Sequence, residues 1–263
     1  MVFYEIGTLT INTDILNKSQ VRVVAFLWLQ DLLAYIGFEG RLLWIAPPVM
    51  VVVILLGLQI ASRKSWTVYF NDFAPMFLEC VLMAIPLVVF SLVISQHVHV
   101  NRSIDQIFES NRTQDQCTVQ ALQSSVASSE QPQAPEETNP ASILANIVTG
   151  IGAGIYEELV FRLILICVLM MLFQDIIGWD HKGSIILSIF ISASLFSAHH
   201  HFIFLTGRFF EVVPFSFEAF LFRAVAGIYF AALFAGRGFG ITAGTHAFYD
   251  MMATLVNALL LRI

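Results

Sequence analysis

Residues Ala141 to Phe173 read ASILANIVTGIGAGIYEELVFRLILICVLMMLF, and apart from Glu157, Glu158 and Arg162 nothing in this run carries a charge. A helix crosses the roughly 30 Å hydrocarbon core with about 20 apolar residues, each rising about 1.5 Å. The run is longer than one perpendicular crossing needs. Gly150, Gly152 and Gly154 precede the charged cluster, so the sequence predicts a segment that is tilted, broken or entered by a half-helix.

Comparable apolar runs lie on both sides, from Leu42 to Ala61, Pro75 to Ser95, Ile185 to Leu205, Phe217 to Ala235 and Ile241 to Leu261. Six spans and an all-α, multi-pass transmembrane bundle of about six to eight helices are therefore expected. Composition agrees: of 263 residues 57% are hydrophobic and 12% charged, and the mean hydropathy is +0.78. Soluble domains hold about 25% charged residues. With 13 basic against 19 acidic residues the net charge is −6, so the cationic surface that neutralises nucleic-acid phosphates is missing. Cys80, Cys117 and Cys167 show no metal-ligand spacing, and Cys80 and Cys167 read as small buried hydrophobes.

Residues 101–140 form a polar linker ending in QPQAPEETNP, which divides the chain into residues 1–100, with two spans, and residues 141–263, with four. Val21 to Phe38 is apolar but contains Arg22, Gln30 and Asp31, the pattern of an interfacial helix or a weak extra span, and the start lacks the features of a cleaved signal peptide. Arg63, Lys64 and Arg237 suggest one orientation in the membrane, while Lys18, Arg22 and Arg41 suggest the other.

Burying an ionisable group in a bilayer costs about 2.5 to 3.5 kcal/mol on the insertion scale, so Glu157, Glu158, Arg162 and Asp250 together carry a penalty on the order of 10 kcal/mol unless paired, hydrated or used. Glu158 and Arg162 are four apart on one helix face, acid first, the favourable order for an ion pair. Glu157 is turned about 100° away and stays free to accept a proton. His246 and Asp250 repeat the spacing of four, so the carboxylate can receive a ring N–H. Phe196 and His200 also stand four apart, and counting along each apolar run places His200 past the middle of its span and His246 before the middle of another. The two imidazoles can then share one cavity. His199 and His201 are expected to point elsewhere on the helix, toward the interface or a loop, and Arg223 to snorkel to headgroups.

In chain order these residues spell EExxxR (Glu157, Glu158, Arg162), FxxxH (Phe196, His200) and HxxxD (His246, Asp250). The set resembles the CAAX protease and bacteriocin-processing (CPBP) family of intramembrane endopeptidases, whose best-known members trim prenylated CAAX proteins, over about Ala141 to Leu261. The resemblance implies a plasma-membrane enzyme of a prokaryote in which Glu157 activates water while Glu158 and Arg162 hold the site together. His200 and His246 would bind a metal or stabilise the oxyanion, with Asp250 in support. It also implies a ligand set of Glu157, His200 and His246 for zinc or another divalent cation, with a metal-free glutamate mechanism as the alternative. Asp250 stands where the family often has Asn, Leu163 where it often has Gly, and only the spacing from Phe196 selects His200 over His199.

The expected activity is hydrolysis of a peptide bond in a membrane-associated protein or peptide, lipidated or not. The rival readings are a proton-coupled transporter or channel, a two-histidine haem protein, and a noncatalytic binding or immunity member of the same scaffold. No internal repeat supports the first. The second leaves Glu157, Glu158 and Arg162 unexplained, and intact motifs argue against the third.

Overall fold

The structure is a computed structural model that describes residues 4, 7, 24–40, 42–63, 69–116, 140–205, 208–211 and 214–260. Among these, seven helical segments and one short hairpin follow in order: α1 Val24–Ile36, α2 Leu42–Ser62, a 3-10 turn Phe70–Asp72 leading into α3 Phe73–Gln116, α4 Pro140–Glu158 with its continuation, α6 His181–Ala198, strands β1 Phe202–Leu205 and β2 Arg208–Glu211, α7 Phe217–Arg237 and α8 Phe239–Leu260. The continuation of α4 is a π-helical turn Leu159–Leu165, the short α5 Ile166–Met170 and a second π turn Met171–Ile176.

Among the described residues, five helices are long and apolar enough to cross a membrane: Ile45–Ser62, Phe70–Ile94, Ile143–Ile176, His181–Ala198 and Phe217–Arg237. The chain is a multi-pass helical membrane protein, as its hydropathy predicts. The sixth expected span forms α8, but its polar residues, among them His246 and Asp250, keep it out of that group. It packs closely along α4 and α3, with Thr242, Thr245 and His246 buried. Over its 13 described residues α1 rises about 20 Å, less than the roughly 30 Å hydrocarbon core. Its Ala25, Phe26, Leu29 and Leu33 are buried, and Phe26 meets Tyr156 of α4 edge-on at 5.1 Å.

Three boundaries differ from the hydropathy reading. The run Ala141 to Phe173 is not broken at its glycines: the helix passes through them unbroken. Gly154 instead lets two backbones approach, since a Cβ there would sit 2.6 Å from the Ala243 carbonyl oxygen. The run Ile185 to Leu205 ends its helix at Ala198, where the chain turns through His199–His201, and the aromatic and β-branched residues that follow pair as a hairpin, Phe202 opposite Glu211 and Leu205 opposite Arg208. Third, α3 continues to Gln116 through the first part of the polar linker; residues 117–139, including Cys117, lie outside the described residues. Cys80 is buried, but Cys167, expected to be buried, is exposed.

Polar contacts fasten the bundle. Asp180 caps α6 by accepting the Gly183 N–H at 2.9 Å. Ser197 Oγ donates to the Phe220 carbonyl of α7 at 2.6 Å, and Tyr229 Oη to the Met83 carbonyl of α3 at 2.7 Å. Glu79 is held by Arg237, whose Nη2 lies 2.6 Å from its Oε2.

Candidate active site

The EExxxR stretch lies where α4 changes from α to π geometry: Glu157 and Glu158 end the α-helical part, and Arg162 is inside the π turn. A π turn displaces backbone carbonyls from their usual partners, and such turns concentrate at functional sites. Here the Phe161 carbonyl, in the middle of the turn, accepts from Ser192 Oγ of α6 at 2.6 Å, which ties the irregular segment to its neighbour.

Glu158 and Arg162 are both 0% exposed. Arg162 Nε lies 3.1 Å from Glu158 Oε2, and Nη2 donates to the Gly227 carbonyl of α7 at 3.2 Å. The guanidinium sits 4.2 Å over the Phe196 ring and 5.5 Å from that of Phe230. Cation–π contact helps a buried charge that has lost its water. Gly227 permits this geometry, because a Cβ there would press on Ala193 and Phe196.

The other oxygen of Glu158 accepts from Nδ1 of His246 at 2.8 Å. His246 stacks on Phe230, with centroids 4.6 Å apart and planes 17° from parallel. Its Nε2 faces two further carboxylates, Glu157 Oε2 at 3.9 Å and Asp250 Oδ2 at 3.6 Å. Glu158 thus has a hydrogen bond on Oε1 and an arginine ion pair on Oε2, although Oε2, like Glu157 Oε2, accepts no hydrogen bond among the described residues. Glu157 is 6% exposed, and its ion-pair contacts within 4.0 Å among the described residues are to imidazoles alone.

His199 and His200 approach Glu157 from the turn that ends α6. Both rings donate from Nδ1 to one acceptor, the Phe196 carbonyl, His200 at 2.9 Å. That fixes the tautomer and leaves each Nε2 with a free lone pair. His199 Nε2 lies 3.5 Å from Glu157 Oε1. Burial, reinforced by the neighbouring His199, holds His200, which lies beyond the end of its span, well below the usual imidazole range, at about 3. A neutral ring is the form that ligates metals.

The expected orientation of His199 is therefore corrected. Because the helix stops at Ala198, the 100° rule does not carry past it, and adjacent histidines face the same carboxylate. Their rings meet at 4.0 Å. His201 is also buried, as the acceptor of Arg223 Nη1 at 3.2 Å; Arg223 does not snorkel freely. Among the described residues, Glu157, His199 and His200 each offer one ligand atom, all within 4.8 Å of one another, so that this group could hold a metal. It differs from the expected set of Glu157, His200 and His246 in one residue, and His246 turns its Nδ1 to Glu158. Two imidazole lone pairs and an unpartnered buried carboxylate oxygen fit a divalent cation.

Two aromatic side chains complete the site. Trp28 of α1 lies 5.9 Å from both the His199 and the Phe161 rings, so a helix from the first 100 residues walls the site. Phe196 touches the rings of Phe161, His199, His200, Phe230 and His246. Its FxxxH spacing gave a signal; Trp28 had only the buried face of an amphipathic helix to mark it.

Residues 139–252, under half of the chain but including all of the acids, histidines and the arginine just described, match the family Rce1-like, described as type II CAAX prenyl endopeptidase Rce1-like. No curated protein and no solved structure matches the chain.

Proposed function

Since residues 139–252 of this multi-pass membrane protein form an Rce1-like domain, we propose that it is an intramembrane endopeptidase that hydrolyses a peptide bond of a membrane-associated protein or peptide with water activated by Glu157. One observation carries the assignment: of two adjacent buried carboxylates, Glu158 is held by the Arg162 ion pair and the His246 hydrogen bond, while Glu157 faces imidazoles of two other segments. A base must reach its proton, and Glu157 is the one of the two with no arginine counter-ion among the described residues.

In this mechanism Glu157 takes a proton from water as the oxygen adds to the scissile carbonyl carbon, then delivers it to the leaving amine nitrogen as the C–N bond breaks. His199 and His200 orient the water through their Nε2 lone pairs. His246 donates its Nδ1–H in a hydrogen bond to Glu158, and in the protonated form its Nε2–H is the donor for the developing oxyanion. Asp250 backs that ring, and Arg162 balances the charge of Glu158 without touching the reacting atoms. A divalent cation held by Glu157, His199 and His200 would supply Lewis-acid polarisation of the carbonyl.

The test compares peptide termini in membranes carrying wild-type protein or Glu157→Gln. Termini present only with the wild type support the reading. Identical inventories contradict it and favour a noncatalytic protein on the same scaffold.

A further inference from the structure

Ser184, Ser188 and Ser192 stand four apart on α6, and all three are buried. A helical serine without another partner donates to the carbonyl one turn back. Ser184 does so to Asp180 at 2.9 Å, and Ser188 to Ser184 at 2.7 Å. Ser192 has the same option in the Ser188 carbonyl, yet its hydroxyl leaves the helix and donates to the Phe161 carbonyl at 2.6 Å.

The acceptor accounts for the departure. Phe161 lies inside the π turn Leu159–Leu165, where the i→i+4 ladder gives way to i→i+5 bonds. Ser192 gives one carbonyl of that irregular turn a donor from a neighbouring helix, at a position 1% exposed, where no bulk water competes.

Both ends of this bond lead to the reacting groups. On α4, Phe161 precedes Arg162, and its ring lies 4.8 Å from that of His199. On α6, Ser192 and Phe196 are one turn apart on one face. The Phe196 ring lies 4.2 Å from the Arg162 guanidinium, and its carbonyl accepts from Nδ1 of both His199 and His200. Glu157 thus reaches the site on α4 and the two imidazoles reach it from the end of α6. The 3.5 Å between Glu157 Oε1 and His199 Nε2 depends on how those segments are set against one another.

We propose that Ser192 is a positioning residue of the endopeptidase: its hydroxyl locks the π turn of α4 to α6 and so holds Glu157 at working distance from His199 and His200. The inference rests on the endopeptidase reading above for the reaction it serves. Ser192 acts through the Phe161 carbonyl, not on the substrate.

The test sets Ser192→Ala against Ser188→Ala, which deletes an equally buried hydroxyl bonded within α6. Full-length protein in micelles is read in two ways. One is cleavage of a peptide whose new terminus appears only in wild-type membranes. The other is Co2+ binding by Glu157, His199 and His200, which needs no turnover. Ser192→Ala should lower kcat about 10- to 100-fold with KM unchanged, the cost of misplacing a reacting group by about 1 Å. It should weaken Co2+ binding about ten-fold, as losing a contact behind the ligands does. Ser188→Ala should leave both at wild-type values. Ser192→Cys fills the space with a poor donor and should resemble Ser192→Ala. Either readout unchanged in Ser192→Ala, or changed alike in Ser188→Ala, overturns the proposal. So does recovery of wild-type values in Ser192→Cys, which would make the role one of filling space. A collapsed thermal midpoint in Ser192→Ala alone would make the serine structural and overturn it too. Failure of the wild-type protein itself to cleave would defeat the endopeptidase reading, separately from the Co2+ comparison.

Discussion

Nδ1 of His246 and Oε1 of Glu158 lie 2.8 Å apart across 88 residues of sequence, joining α8 to the end of α4 inside the bundle. With Arg162 at 3.1 Å on the other oxygen, Glu158 becomes the centre of a buried network, and its neighbour in sequence is released from structural duty. The division of labour between two adjacent glutamates follows from that contact and can be tested by stability and by activity.

Glu158→Ala leaves the fully buried Arg162 without its counter-ion, and breaking one side of such a pair costs about 3–5 kcal/mol. Unfolding in detergent micelles should show a loss of that size. Glu157→Gln should unfold within about 1 kcal/mol of wild type, because it removes no hydrogen bond from the unpartnered oxygen. Equal destabilisation by the two would contradict the assignment.

Removing a positioned general base lowers turnover by about 10²- to 10⁴-fold. Glu157→Gln should do so with little change in KM, read from single-turnover cleavage of a peptide recovered from the terminal inventory. A variant that raised KM alone would place Glu157 in substrate binding.

Metal capacity should follow His199 and His200. Chelator-treated wild-type protein titrated with Co2+ is expected to develop the visible bands of a low-coordinate site, with His199→Ala and His200→Ala each abolishing them and His246→Ala retaining them. Bands indifferent to His199, or lost only with His246, would restore the ligand set expected from the motifs.

Trp28→Ala removes the wall that α1 places against the His199 ring. Misplacement of a reacting group by about 1 Å can cost 10²-fold, so kcat should fall by about 10- to 100-fold, with Trp28→Phe recovering most of it. Unchanged kcat in Trp28→Ala would confine α1 to a scaffold role.

The bundle and the acidic cluster were legible because both rest on local periodicity. Apolar runs of about 20 residues located the five crossings, and the spacing of four found the contact between Glu158 and Arg162. His199 was legible only as the alternative to His200, since helical counting holds only while the helix continues, and this helix ends at Ala198, inside the run Ile185 to Leu205. The bond from His246 to Glu158 and the pairing of Glu79 with Arg237 join residues 88 and 158 positions apart, which periodicity within one helix cannot reach. The π turn was equally invisible, as its residues are ordinary helix formers, and only the Ser192 contact to Phe161 shows why it persists.

Running the reaction in H2(18O) tests the role of Glu157 most directly, since hydrolysis writes solvent oxygen into each new carboxyl terminus. Membranes with wild-type protein should yield peptides carrying one 18O at a newly formed terminus, and membranes with Glu157→Gln should yield none of them. The same labelled termini in both, in equal amounts, would contradict water activation by Glu157.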